Sequence, residues 1–437
     1  MEPSKSGPAI GSRTLDSPAI VPQEVNLVRA DRITSRRDFL KIAASSLAGA
    51  SLVAFGACTR SSDDAGAGAR KIVRRTLGRT GLRLPVVSMG CVYAIDLIGA
   101  ALDEGIAYIH TSSDYAEGNH ERMLGEVLKR RPRDSYVVAT SPDLPYEFDT
   151  KRDRSRGLGN TVDPARIISS MDESLKRLGL EYVDIYYLCS VADEEVTRHE
   201  PYMSAFEKLK KDGKTRFVGV ATHENEPAVI NAAAESQFWD VVLTAYNFRQ
   251  SHRGEVRAAI RRAGEAGLGV VAMKTQAGVY WDRLRSHRIN MKAALKWVLQ
   301  EENVHTTIPA FSNFGEMLED MSVMEDLNLT EPERRDLEAG DELGWSGFYC
   351  DQCAQCVAQC PSRLDIPTLM RSHMYAYGHG RPLKARQTLR LWAPSDVACR
   401  SCLQCSVHCQ RGLDVRSRAL EMALLVDGAS ECLPRDR

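Results

Sequence analysis

The feature that most constrains the fold of this 437-residue chain is a regular alternation of short apolar runs with helix-length amphipathic segments. In one such segment Ile167, Met171 and Leu175 recur at helical spacing. Eight strand–helix pairs within about 250 residues are typical of a (β/α)₈ barrel, whereas no glycine fingerprint supports an open doubly wound sheet. The expected strands are Pro85–Met89, Ala107–Thr111, Tyr136–Thr140, Asp184–Cys189, Arg216–Ala221, Val241–Tyr246, Gly269–Lys274 and Thr306–Ala310.

Polar or reactive residues follow most of these strands. In a barrel of parallel strands the chemistry belongs at the carboxyl ends of the strands. The stretch AYIHTSSDYAEG, at 107–118, adds two candidate groups just after the second strand, Asp114 and Tyr115. The residues at the strand ends are His110, Ser141, Cys189, Thr222, His223, Asn247, Lys274 and Phe311. The sequence therefore predicts a site at one mouth of the barrel.

Several segments resemble the aldo-keto reductase family and occur in that family's order. They are RRTLGRTGLRLPVVSMG, ESLKRLGLEYVDIYYL, KKDGKTRFVGV, GLGVVAMK and ALKWVLQEENVHTTIPAFSN, which together cover about residues 73–325. The resemblance implies a (β/α)₈ barrel whose relatives reduce carbonyl compounds with a nicotinamide cofactor.

The family's catalytic tetrad is an Asp, a Tyr, a Lys and a His, of which only the Tyr is present here, as Tyr115. His110 stands at the position of the Asp, Ser141 at that of the Lys and Cys189 at that of the His. Tyrosine titrates at about 10, so Tyr115 without its lysine is expected to be a weak acid–base catalyst. The resemblance leaves Tyr115 and His110 as candidate catalytic residues, and His110 can supply positive charge when protonated.

The positions where the family holds its cofactor also differ. The resemblance puts Ala221 and Thr222 where the family has Ser-Asn, and Leu243 where it has Gln. The segment after the last strand has no Arg to clamp the 2′-phosphate of NADP. The remaining candidate cofactor contacts are Lys274 and Asn313, so NAD(P)H stays a candidate cofactor with a weakened site.

A second interpretation of the same mouth is a metal site. Cys91 follows the first strand. Three other soft or borderline ligands, His110, Cys189 and His223, lie at the ends of other predicted strands. Zinc and iron accept such ligands. Because these residues follow separate strands, no ligand spacing supports this alternative.

Eight of the twelve cysteines form two copies of the run C-x₂-C-x₂-C-x₃-C. This run holds [4Fe–4S] clusters, and its fourth cysteine ligates the other cluster in two-cluster ferredoxins. We therefore expect Cys360 to join the first three cysteines of the second run. The predicted ligands are Cys350, Cys353, Cys356, Cys360, Cys399, Cys402, Cys405 and Cys409. The segment between the runs has helical character, so the sequence predicts a small, mainly α-helical ferredoxin-like domain over 341–437, after a barrel domain over 71–340.

Residues 1–70 are interpreted as an export signal and a flexible tether. SRRDFLK, at 35–41, matches the twin-arginine motif, and the apolar segment after it is too short and too rich in small residues to predict a membrane span. The twin-arginine translocase exports folded proteins. Iron–sulfur clusters are assembled in the cytoplasm, so a protein that carries them must be exported in its folded state. We expect the protein in the periplasm or on the outer face of the membrane. Cys58 ends a sequence similar to a lipobox, so a lipid anchor there is an alternative to ordinary cleavage.

The charges of the chain nearly cancel, with 57 basic and 58 acidic side chains. This balance gives no electrostatic argument for a nucleic-acid partner. The favoured hypothesis is an exported iron–sulfur oxidoreductase that couples electron transfer through two [4Fe–4S] clusters to a small-molecule substrate at the barrel. The alternative is an electron carrier or docking subunit, in which a non-catalytic barrel binds a redox partner protein.

Overall fold

The computed structural model describes residues 72–144, 158–277, 290–342, 350, 355–378, 382–390, 399, 402, 404–409 and 412–427. The twin-arginine motif, the apolar segment after it, Cys58 and Cys353 lie outside these residues. In the ranges that are described, no helix has the length and hydrophobicity needed to cross a membrane.

The first element is an antiparallel hairpin of β1 (Arg74–Thr76) and β2 (Arg83–Pro85), which the sequence analysis did not predict. A 3₁₀ turn at Gly78–Thr80 joins the two strands. Gly78 has φ 45°, and a Cβ there would collide with the backbone of Leu268 and Gly269. The hairpin thus lies tightly against the amino end of a barrel strand and closes that end of the barrel.

The barrel wall contains a sheet of parallel strands hydrogen-bonded in chain order. The first predicted strand, Pro85–Met89, is present only as two parallel bridges, from Val87 to Thr307 and from Met89 to Ile109. These bridges join the two edges of the sheet and close it, so the predicted (β/α)₈-type barrel is confirmed. The strands of the sheet are β3 (Tyr108–His110), β4 (Val137–Thr140), β5 (Val183–Leu188), β6 (Thr215–Thr222), β7 (Val241–Ala245), β8 (Gly269–Met273) and β9 (Thr306–Thr307).

Amphipathic helices cover the outside of the barrel, with their apolar faces in the larger core cluster between helices and strands. The last of them continues slightly beyond the predicted domain boundary at 340/341. The helices are α1 (Ile95–Asp103), α2 (Asn119–Leu128), α3 (Pro164–Leu178), α4 (Glu194–Thr197), α5 (Glu200–Lys211), α6 (Glu226–Ser236), α7 (Arg253–Glu265), α8 (Met291–Leu299), α9 (Phe314–Ser322) and α10 (Glu331–Glu342).

The described part of the C-terminal region is helical. A short core that includes Ile366, Leu389 and Met422 holds its helices together, and several of the cysteines pack against this core. We call this region the C-terminal module; its ferredoxin-like arrangement remains a prediction. Its elements are α11 (Gln355–Gln359), α12 (Ile366–His373), a π-helix (Met374–Gly378), α13 (Pro382–Arg390) and α14 (Val415–Asp427).

Candidate functional site

The barrel mouth brings together four of the predicted site residues because each continues the inward-facing register of its strand. Alternate residues of a barrel strand face the interior. Interior residues near the mouth are Tyr108, Ala139, Tyr187 and Ala221. The residues two places further along the same strands are His110, Ser141, Cys189 and His223. The structure therefore directs these four side chains toward one mouth.

His110 is buried in this mouth. Its ring centroid lies 5.7 Å from that of Tyr187 and 6.1 Å from that of Tyr115. Its Nε2 atom has no hydrogen-bond partner within the described part of the chain. Burial, with smaller contributions from His120 and Lys274, lowers the pKa of His110 to about 3. His110 is therefore neutral at physiological pH and does not supply a positive charge to Tyr115.

Because His110 is buried in its neutral form, we expect the folded protein to lose stability in acid. An unfolded chain protonates His110 at a pKa of about 6.5, whereas the folded chain resists protonation down to a pKa of about 3. Stability is therefore lost as the pH falls below 6.5, at up to about 1.4 kcal/mol per pH unit. Between pH 7 and pH 5 we expect the free energy of unfolding to fall by about 2 kcal/mol more in the wild type than in His110→Gln. Urea unfolding at both pH values measures this difference, and parallel changes would contradict it.

Tyr115 lies in an environment that favours its neutral form. Burial raises the pKa of Tyr115 well above its ordinary value, and Cys91, Asp114, Cys189 and Tyr375 add to the increase in that order. Each of these four neighbours is either neutral or negatively charged, so none of them stabilises a phenolate at Tyr115. The environment of Tyr115 agrees with the expectation of a weak acid–base catalyst.

Cys189 is a protonated thiol at neutral pH. Burial raises the pKa of Cys189 to about 11, with a further contribution from Asp114, although hydrogen bonds to Ser141 and Ser190 act in the opposite direction. A thiol of this kind is neither a ready nucleophile nor a metal ligand. Within the described ranges no group of three or more His, Cys, Asp or Glu side chains is arranged to hold a metal ion. The single-metal interpretation of the mouth therefore gains no support.

The mouth is also lined from the C-terminal module. Lys274, directly after β8, donates a hydrogen bond from Nζ to the hydroxyl oxygen of Tyr375 at 3.3 Å. Arg371, one turn earlier in α12, is close enough to contribute to the lowered pKa of His223. Sequence reasoning did not find Tyr375, because no motif or spacing distinguishes it within its helical segment. Lys274, predicted as a cofactor contact, is thus already paired with a phenol.

The remaining predicted cofactor positions lie in apolar surroundings or cap a helix. Ala221 and Leu243 belong to the apolar cluster inside the barrel, so they offer no hydrogen bonds to a carboxamide. Asn313 caps α9, and its side chain accepts the N–H of Glu316 at 2.9 Å. The Glu316 carboxylate accepts the N–H of Ser312 at 2.7 Å, which puts negative charge where a nucleotide phosphate would approach this helix end. The described residues at these positions thus have other partners or apolar surroundings, and binding of a nicotinamide cofactor stays a prediction.

A second candidate site lies in the C-terminal module. A small cavity is lined by Cys360 from the first cysteine run and by three cysteines from the second run, Cys399, Cys402 and Cys405. Arg416 also lines this cavity and donates a hydrogen bond to the carbonyl oxygen of Cys402. These four thiols are the set that the sequence predicts for one cluster.

The other predicted set is described only in part, because Cys353 lies outside the described residues. Cys350 and Cys409 both lie near the buried guanidinium of Arg418, so the fourth cysteine of the second run is close to the first run. Each cysteine of a cubane ligates a different iron, so its sulfur atoms stand further apart than the ligands of one ion. The described cysteines thus agree with the predicted crossed sets in residue type and grouping, and the two [4Fe–4S] clusters stay a prediction.

The fold and the mouth define a (β/α)₈-barrel protein with its candidate chemistry at the carboxyl ends of the strands. Residues 87–283 match the profile of the aldo/keto reductase family. A solved aldo-keto reductase from Bacillus halodurans is 22% identical with a TM-score of 0.49, over 63% of this chain and 97% of its own.

Two curated relatives carry oxidoreductase names. L-galactose dehydrogenase of Arabidopsis thaliana is 36% identical over 169 residues, which are 34% of this chain and 48% of that protein. L-glyceraldehyde 3-phosphate reductase of Escherichia coli is 29% identical over 172 residues, or 35% of this chain and 46% of that protein. The chain thus spans about half the length of these curated relatives.

Proposed function

We propose that the chain is an exported iron–sulfur oxidoreductase of aldo-keto reductase type, with a small-molecule substrate at the barrel mouth and two [4Fe–4S] clusters in the C-terminal module. The observation that carries this proposal is the cavity that Cys360 shares with Cys399, Cys402 and Cys405. The exchange of the fourth cysteine between runs is the arrangement of two-cluster ferredoxins. When bound, such clusters supply or accept single electrons.

A contact between the module and the mouth supports electron transfer to the barrel. Tyr375 packs against the apolar core of the module, and Cys350, Cys356 and Cys409 pack against the same core. Its hydroxyl group accepts the hydrogen bond from Lys274 at the mouth. A substrate held beside Lys274 would therefore lie next to an element of the module whose core the cysteines also contact.

The electron-carrier alternative is favoured by a different observation. The raised pKa of Tyr115 and the apolar side chains of Ala221 and Leu243 remove two requirements of the family's standard reaction. In this alternative the barrel only docks a redox partner protein, and a small substrate in the mouth has no effect on the clusters.

Anaerobic reconstitution of the full chain, followed by titration, tests the proposal. We expect iron and sulfide to be taken up and the clusters to be reduced by dithionite, but neither NADH nor NADPH to reduce them. Visible absorbance and electron paramagnetic resonance follow the reduction. A protein with stoichiometric zinc and no sulfide would refute the iron–sulfur proposal. Reduction by NADH would show that the family's cofactor still binds.

A mouth-blocking variant separates the enzyme from the carrier. Cys189→Trp places a large ring at the mouth and leaves every predicted cluster ligand unchanged. For an enzyme, the variant should slow the reoxidation of reduced clusters by a small carbonyl or quinone substrate. Equal rates in variant and wild type would favour the carrier.

Export is proposed from the sequence alone. The motif at 35–41 and Cys58 lie outside the described residues. A receptor reads the paired arginines, so replacing Arg36 and Arg37 with lysines should retain the protein in the cytoplasm. Cell fractionation measures this, and Cys58→Ser in the same assay tests the lipid anchor.

A further inference from the structure

A phenol and an ammonium group meet where the module covers the barrel mouth. The Nζ of Lys274 lies 3.3 Å from the Oη of Tyr375 and 5.8 Å from the centroid of its ring. Lys274 is on the barrel and Tyr375 is on the module, 101 positions away in the sequence. The pair therefore exists only when the two parts of the chain are in contact.

Both residues occupy unusual backbone conformations. Lys274 has φ 57°, in the left-handed region that residues with a Cβ rarely adopt. Tyr375 lies in the π-helix Met374–Gly378, which extends α12. Such strained residues and π-helical turns concentrate at functional sites, where the cost is tolerated because it fixes a side chain. Both partners of this hydrogen bond thus lie in irregular backbone.

Several charged and titratable groups surround the pair. Tyr93 and Tyr115 face Tyr375, and the pKa of each is raised, with burial as the largest cause. Lys274 in turn lies near His110 and His223, both of which have lowered pKa values mainly because they are buried. Tyr375 accepts a hydrogen bond from the cationic side chain of Lys274.

We propose that Tyr375 is the proton donor of the barrel site and that Lys274 is its partner, so that the module supplies the acid that Tyr115 cannot. This inference rests on the proposed oxidoreductase function. An ammonium group that donates to a phenol oxygen stabilises the phenolate, which makes the phenol a stronger acid. The family pairs its catalytic tyrosine with a lysine, and the resemblance puts Ser141 at the position of that lysine, near Tyr115.

The proton step balances with the electrons that the proposed function supplies. A substrate that accepts two electrons from the reduced clusters also needs two protons. One comes from Tyr375 as its O–H bond breaks and a new bond forms to the reduced substrate atom. The other comes from solvent. The tyrosinate is held by Lys274 until solvent reprotonates it.

Tyrosinate absorbance of the reconstituted full chain tests the pair without a substrate. The difference between wild type and Tyr375→Phe isolates the titration of one tyrosine. We expect Lys274→Met to raise the pKa of that tyrosine by about one unit or more. Met retains an unbranched side chain at the same strained position. An identical titration with and without Lys274 would overturn the pair, whether or not the clusters assemble.

The rate of cluster reoxidation tests the catalytic role. Ferricenium accepts only an electron, whereas a water-soluble naphthoquinone accepts electrons and protons. We expect Tyr375→Phe to slow the quinone reaction by about 10²-fold or more, as loss of a general acid does, and to leave the ferricenium reaction unchanged. The control is Tyr377→Phe, at an exposed residue of the same π-helix, which should change neither rate. Equal slowing with both oxidants, or none, would overturn the proton-donor role. A chain without iron would instead refute the proposed function.

Discussion

The double variant Cys360→Ala/Cys402→Ala is expected to retain as much iron as either single variant, about four atoms of the roughly eight in the wild type. The two cysteines line the same cavity although they belong to different runs. Their substitutions therefore remove ligands from one cluster and leave the other cluster intact. Iron and sulfide analysis of anaerobically purified protein measures the outcome.

A second pair of substitutions makes this test specific. Cys402→Ala/Cys409→Ala changes two cysteines of the same run but, in the crossed arrangement, damages both clusters and should leave almost no iron. Cys189→Ala, in the barrel, serves as the control and should retain all of it. If each run instead held its own cluster, the results of the two double variants would be exchanged.

The sequence predicted the barrel well where the apolar runs are long. The runs at β5, β7 and β8 are fully buried along their length, and their observed ends differ from the predicted ends by one residue at most. The hairpin of β1 and β2 was missed because its strands have three residues each and carry arginines rather than an apolar run. The hairpin is stabilised by its contact with the barrel, and a local sequence pattern does not reveal such a contact.

The candidate site was predictable as far as strand register determines it. His110 and Cys189 could be located because His110 ends β3, Cys189 follows β5, and both continue the inward-facing alternation of those strands. Asn313 was predicted as a cofactor contact, whereas in the structure its side chain caps a helix; whether it also touches a cofactor stays a prediction. Tyr375 could not be predicted, because its contact with Lys274 depends on how the module packs against the barrel.

The largest effect in the barrel is expected from restoring the residues of the family. The triple variant His110→Asp, Ser141→Lys and Cys189→His puts an ammonium group close to Tyr115. Such a neighbour lowers the pKa of a phenol by about one to three units. General acid–base catalysis is worth about 10²–10⁴-fold, but only when the hydride donor is bound within reach. The triple variant alone should therefore gain little reduction of an aromatic aldehyde with NADH or NADPH.

Restoring the family's cofactor contacts as well should allow the rate gain from general acid–base catalysis to appear. With Ala221→Ser, Thr222→Asn and Leu243→Gln in the same chain, we expect aldehyde reduction to rise by about 10²-fold or more over the wild type. Tyr115→Phe should abolish the gain in this variant, yet it should have little effect in the wild type, where burial and its neighbours keep Tyr115 neutral. Unchanged cluster absorbance would show that the variant is folded. Robust nucleotide-linked turnover by the wild type, lost in Tyr115→Phe, would instead mean that Tyr115 is still the acid of the site despite the loss of its lysine.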